Sequence, residues 1–286
     1  MKQTGVVRAS FRVVMAALLA LAYVPAYADL MINPTRVVLE KNTRAASIDL
    51  INDGNKPASY RVTLVNRRML ENGEFARVEQ PLPGEQFADH MVVFSPRQFT
   101  LAPGASQVVR VAVRKPAGLA AGEYRSHLSF DRLPDADEST DIENQNRSKP
   151  GDQIGIQVRA LLGVSIPVIV REGDTSAAVS ISHLQLRKPT SPGQPPMFDL
   201  QLNRSGNRSV YGDIVVDFRP EGSSTATTVG RVGGVAVYVP NALRRATINL
   251  QVPPGLALER GQLRVKFQER AEEGGKLLAD ASVAVP

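Results

Sequence analysis

The sequence predicts an all-β protein built as two antiparallel sandwiches, and three observations carry that reading. Turn formers are plentiful, with 22 Gly and 20 Pro in 286 residues. Short runs alternate apolar and polar residues with a period of two, the pattern of strands with one buried face. Clusters of turn residues separate those runs, and no segment sustains a helical period. Apolar residues at 43% and charged residues at 22% supply a core and exclude wholesale disorder.

The elements follow in order. Residues 1–28 read as a secretory signal peptide: Lys2, Arg8 and Arg12 form a positive start, residues 13–22 a short apolar run, and Ala26-Tyr27-Ala28 a small-x-small site with cleavage after Ala28. The run is shorter than the roughly 20 residues that span a bilayer. Removing the three cations halves the net charge from +6 to +3, which is weak support for nucleic-acid binding. In the first domain, residues 29–171, Tyr60-x-Val62-x-Leu64, Val109-x-Val111-x-Val113 and Tyr124, Leu128 and Phe130 each hold one parity against charged or polar neighbours. Asp53-Gly54-Asn55-Lys56-Pro57, Glu71-Asn72-Gly73, Ala102-Pro103-Gly104 and Ala121-Gly122 mark the turns between. In the second domain, residues 172–286, six more runs follow: Val179-x-Ile181, Phe198-x-Leu200-x-Leu202, Ile214-x-Val216-x-Phe218, Val235-x-Val237-x-Val239, Ile248-x-Leu250-x-Val252 and Leu263-x-Val265-x-Phe267.

One stretch departs from this texture. Residues 134–153 are polar and mainly acidic, without periodicity, and a structureless loop of that length is uncommon inside a compact domain. They lead into 154–170, where Ile154, Ile156, Val158, Ala160, Leu162, Val164, Ile166, Val168 and Val170 share one parity. Strands usually run 3–10 residues, so this one extends past a single sandwich. A second reading stays open, in which two ordinary strands meet at Gly163. A long apolar edge invites aggregation unless something pairs with it.

Chemistry-bearing clusters are sparse. There is no Cys or Trp, and only His90, His127 and His183 could serve as imidazole ligands or bases. His127 near Arg125 and Asp131 lacks a nucleophile. Glu272, Glu273 and Asp280 read as a solvated turn, and the glycines at 230, 233 and 234 as a turn without the helix a phosphate loop requires. No metal, nucleotide or other cofactor is expected, and no enzyme.

Several segments resemble the periplasmic pilus-assembly chaperones of the chaperone–usher pathway. Pro34-Thr35-Arg36-Val37-Val38 is similar to that family's first strand. Phe94-Ser95-Pro96 followed by Leu101-Ala102-Pro103-Gly104 is similar to its middle strands. Gly122-Glu123-Tyr124-Arg125-Ser126-His127-Leu128-Ser129-Phe130 resembles its penultimate strand, and Gly163-Val164-Ser165-Ile166-Pro167-Val168-Ile169-Val170-Arg171 the end of its last. The resemblance implies two immunoglobulin-like sandwiches set at an angle, L- or boomerang-shaped. It implies a periplasmic chaperone that lends its last first-domain strand to an incomplete pilus or fimbrial subunit and delivers the subunit to an outer-membrane usher. Strand addition of this kind satisfies open backbone groups and lets alternate side chains fill a groove. Ile154, Ile156, Val158, Leu162 and Val164 would fill it, for a gross gain on the order of 10 kcal/mol. Unused, the same strand could support self-association.

The resemblance also implies a pair of basic residues that anchor the subunit's terminal carboxylate. Arg36 matches the first. The second is ordinarily a Lys in the final strand, but that position falls at or beside Pro167; Arg159 on the same strand and Arg125 on the neighbouring strand are the candidates, and Arg125 is favoured because Gly122-Glu123-Tyr124-Arg125 resembles the divergent, non-conventional branch. The competing expectation is a two-domain structural or adhesive envelope protein in which residues 154–170 are ordinary core.

Overall fold

The computed structural model describes residues 30–134, 163–191 and 193–286. The leader segment and Ile154, Ile156, Val158 and Leu162 lie outside the described residues. The first sandwich contains β1 (Leu30–Asn33), β2 (Val37–Leu39), β3 (Ala45–Asn52), β4 (Ala58–Val65), β5 (Arg67–Met69), β6 (Phe75–Arg77), β7 (Val92–Ser95), β8 (Gln98–Leu101), β9 (Ser106–Val113), β10 (Gly122–Arg132) and β11 (Gly163–Glu172). One sheet runs β1-β3-β9-β7 and the facing sheet β2-β11-β10-β4-β8. At Pro34, between β1 and β2, and at Pro96, between β7 and β8, the chain passes directly from one sheet to the other. Proline lacks the N–H a ladder needs, so pairing on either side is free to differ. Among the described residues, β5 and β6 pair only with each other, as a hairpin outside both sheets.

The second sandwich contains β12 (Ala177–Arg187), β13 (Met197–Gly206), β14 (Val210–Pro220), β15 (Thr227–Val237), β16 (Leu243–Asn249), β17 (Gly261–Gln268) and β18 (Leu277–Val285), in sheets β12-β13-β16 and β15-β14-β17-β18. The glycines at 230, 233 and 234, expected as a turn, lie within β15 instead. A side chain at Gly230 would meet Leu250 at 3.0 Å and Ile248 at 3.1 Å, so the missing Cβ lets β15 lie close on them. Strand β16 ends at Asn249, earlier than the alternation from Ile248 to Val252 suggests.

Each sandwich closes on its own core. Leu39, Ile48, Val62, Val111, Leu128 and Phe130 belong to the first, and Phe198, Ile214, Val216, Phe218, Val265 and Phe267 to the second. Two assignments cross between them. Met69 of the hairpin and Ile169 of β11 are buried in the second core, whereas Ile166, Val168 and Val170, on the other face of β11, are buried in the first. From Ile166 onward the apolar parity is core, and Val164, 42% exposed, is where the described strand emerges from it.

Candidate functional site

Strand β10 fixes the geometry of the cleft between the sandwiches. Its Tyr124, Leu128 and Phe130 enter the first core. Alternation turns Glu123, Arg125 and His127 to the other face, which the sequence suggests is solvated. The structure places all three in a buried environment, because the second sandwich and the hairpin cover that face. His127 packs edge-on against Phe75 of β6, with ring centroids 5.0 Å apart. Strand β11 runs antiparallel beside β10, pairing Glu123 with Arg171, Arg125 with Ile169 and His127 with Pro167. Strand β2 runs parallel on the far side of β11, with Val37 opposite Val168. Arg36, one residue earlier, therefore stands by Pro167.

The hinge end of this face is fully compensated. Arg171 donates through Nε to Glu123 Oε2 at 2.9 Å and through Nη1 to Glu40 Oε2 at 2.8 Å. The same Glu123 accepts from the Ser209 backbone N–H at 3.1 Å and from the Ser209 hydroxyl, reaching into the second sandwich. The hydrogen bond from Arg171 holds the Glu40 carboxyl below its ordinary range, against an opposing push from burial.

One row along, compensation fails. Arg125 is 5% exposed. Its Nη2 donates to the Arg67 carbonyl at 3.1 Å, and its guanidinium lies 4.1 Å from the Tyr238 ring centroid and 5.9 Å from that of Phe75. Its Nε and Nη1 have no partner among the described residues, nor do Arg67 Nε, Arg244 Nε and both ring nitrogens of His127. Burial pushes the Arg125 pKa down. A desolvated cation–π contact is worth about 2 kcal/mol, whereas taking a guanidinium out of water costs several. The aromatic floor therefore does not offset burial, and the site favours an anion. His127 responds to the same surroundings: burial, then the Arg125 and Arg67 charges, lower its pKa to about 3.

Arg36 faces the cleft from the other side. Its guanidinium lies 4.7 Å over the Tyr211 ring, Nη1 meets Glu273 Oε1 at 3.2 Å, and its buried Nε has no partner among the described residues. Both Arg36 and Arg125 act electrostatically on the Tyr238 hydroxyl, although burial dominates and raises its pKa. The two sequence-selected arginines thus each pack on a tyrosine of the second sandwich, Arg36 on Tyr211 and Arg125 on Tyr238. Sequence reasoning missed Arg67, Arg244, Tyr238 and the hairpin that brings Phe75 over β10. Only the Asn72-Gly73 turn signal pointed to that hairpin, and Gly73 occupies a left-handed φ of 89° at its tip.

Residues 29–171, half of the chain, match the family described as pili and flagellar-assembly chaperone, PapD N-terminal domain. None of the curated proteins matches. Among solved structures, similarity extends to the chaperone–tip adhesion subunit pre-assembly complex from archaic chaperone-usher Csu pili of Acinetobacter baumannii, at 13% identity over 87% of this chain and 96% of that one, TM-score 0.44. The Pseudomonas aeruginosa CupB2 chaperone is similar at 14% identity over 89% of this chain and 100% of that one, TM-score 0.40. On the sequence match across its first half, the chain belongs to the PapD-type family of pilus-assembly chaperones.

Proposed function

We propose that the protein is a non-enzymatic periplasmic chaperone that holds a pilus or fimbrial subunit by donor-strand complementation and delivers it to an outer-membrane usher. The observation that supports the anchor is the pair of guanidiniums, Arg36 and Arg125, each with a buried donor that has no partner among the described residues. A carboxylate accepts two parallel hydrogen bonds from a guanidinium, which suits a subunit's C-terminal carboxylate to this site. Strand β11 leads away from the cleft to exposed Val164, in line with Ile154, Ile156, Val158, Leu162 and Val164 filling alternate positions of the subunit's open groove. Subunit folding supplies the driving force, without nucleotide or cofactor. The leader is removed after Ala28, and the two units divide at residues 171 and 172.

Co-expression with a fimbrial subunit encoded beside the chaperone tests this reading. Subunit recovered from the periplasm should depend on the chaperone and fall at least about tenfold with Ile156→Asp or Val158→Asp, while circular dichroism shows the chaperone folded. Undiminished recovery with both variants defeats the donor-strand reading. Edman sequencing of the exported protein should begin at Asp29.

A further inference from the structure

The resting state of Arg36 points to a regulatory contact within the cleft. Its guanidinium already touches a carboxylate, Glu273 Oε1, at 3.2 Å. Glu273 closes the short 3₁₀ turn Ala271–Glu273 between β17 and β18 in the second sandwich, and is followed by Gly274 and Gly275 in left-handed conformations at φ 111° and 66°. The turn brings the carboxylate across to the first sandwich. The surrounding cavity, of about 170 Å³, is lined by the cations Arg36, Arg171, Arg208 and Lys276 and the carboxylates of Glu269 and Glu273.

We propose that Glu273 is a built-in stand-in for the subunit's carboxylate, capping Arg36 in the unloaded protein and yielding it when a subunit arrives. The inference rests on Arg36 serving as an anchor. The cap has the right chemistry and a deliberately poor geometry. It is one contact rather than a two-pronged pair, because Arg36 Nε remains without an acceptor among the described residues. The Glu273 side chain is 39% exposed against 10% for Arg36. A partly hydrated carboxylate held by one contact is weakly bound, so its displacement costs little. An incoming carboxylate that takes Nη1 and Nη2 together displaces Glu273 and gains the two-pronged geometry that Glu273 lacks. Tyr211 supports the guanidinium whichever carboxylate it holds. Glu273 also supplies a competitor already in place when cargo must leave.

Titration of the folded protein with sodium acetate, read from the Arg36 Nε–Hε NMR resonance with acetamide as control, tests the proposal. Glu273→Gln should bind acetate about two- to fivefold more tightly than the wild type, matching removal of an exposed ion pair. Equal or weaker binding by Glu273→Gln overturns the stand-in role. Tightening should vanish in Arg36→Ala, followed there through the Tyr211 ring resonances. If acetate still binds Arg36→Ala as it binds wild type, the anchor reading itself falls, a different failure from equal affinity in the Glu273 pair.

Discussion

Arg171 and Arg125 sit on one face of one sheet, a row apart, and are treated in opposite ways. Arg171 meets two carboxylates, Glu123 and Glu40, at 2.9 and 2.8 Å. Arg125, equally buried, keeps one carbonyl and two aromatic faces, and its Nε and Nη1 are unmet among the described residues. A buried charge without compensation is costly, and proteins retain such groups where something else completes them. The paired arginine ties the two sandwiches together. The unpaired one is where we propose that the subunit's carboxylate binds.

That contrast can be attacked from both sides. The largest effect on stability should come from Glu123→Ala, which strips Arg171 of its buried partner and Ser209 of its acceptor. Removing one member of a buried pair costs about 3–5 kcal/mol, and the lower end applies because Glu40 still holds Arg171. Urea denaturation should show the midpoint fall without a change in slope.

His127 should have a smaller, pH-dependent effect. Its folded pKa of about 3 lies below the ordinary 6.5. Above 6.5 neither folded nor unfolded chain holds the proton. Between 6.5 and about 3 only the unfolded chain takes it up, so stability is lost as pH falls through that window, by about 1.4 kcal/mol per unit. A His127→Leu variant should flatten that part of a stability–pH profile measured from pH 7 to 4.5. An unchanged slope would show that His127 protonates within the fold.

The smallest stability change is expected for Arg125→Met, which removes an uncompensated charge and keeps its volume. Unfolding free energy should shift by less than about 1 kcal/mol or rise, while retention of a subunit drops at least about tenfold in a pull-down. A variant that is strongly destabilised and still retains subunit would make Arg125 a structural residue like Arg171.

The alternating runs were enough to announce most strands, since a period of two reports one buried face directly. Several features escaped that logic, β1 and β3 among them. β18, Leu277–Val285, carries small residues whose alternation is shallow, so it gave no run. β5 and β6 are three residues each, too short for any period to register. The polar parity of β10 suggested solvent at Arg125 and His127, because alternation records which residues share a face and not what later covers it. The same limit applies to the last strand. Ile166, Val168 and Val170 continue the parity of Val164, yet they fill the molecule's own core while Val164 does not. An aliphatic side chain reads the same in sequence whether its cavity is its own or a guest's. Arg36 and Arg125 were found through resemblance, and the tyrosine each packs on required the packing of both sandwiches.

Strand β11 divides its allegiance residue by residue, with Val168 and Val170 set in one core and Ile169 in the other. Tilting one half of the molecule against the other would pull that side chain from its socket, so the strand behaves as a splint. Cargo gripped on its upstream end, as proposed, is carried at a set attitude, and the machinery that receives it meets a rigid handle rather than a swivel.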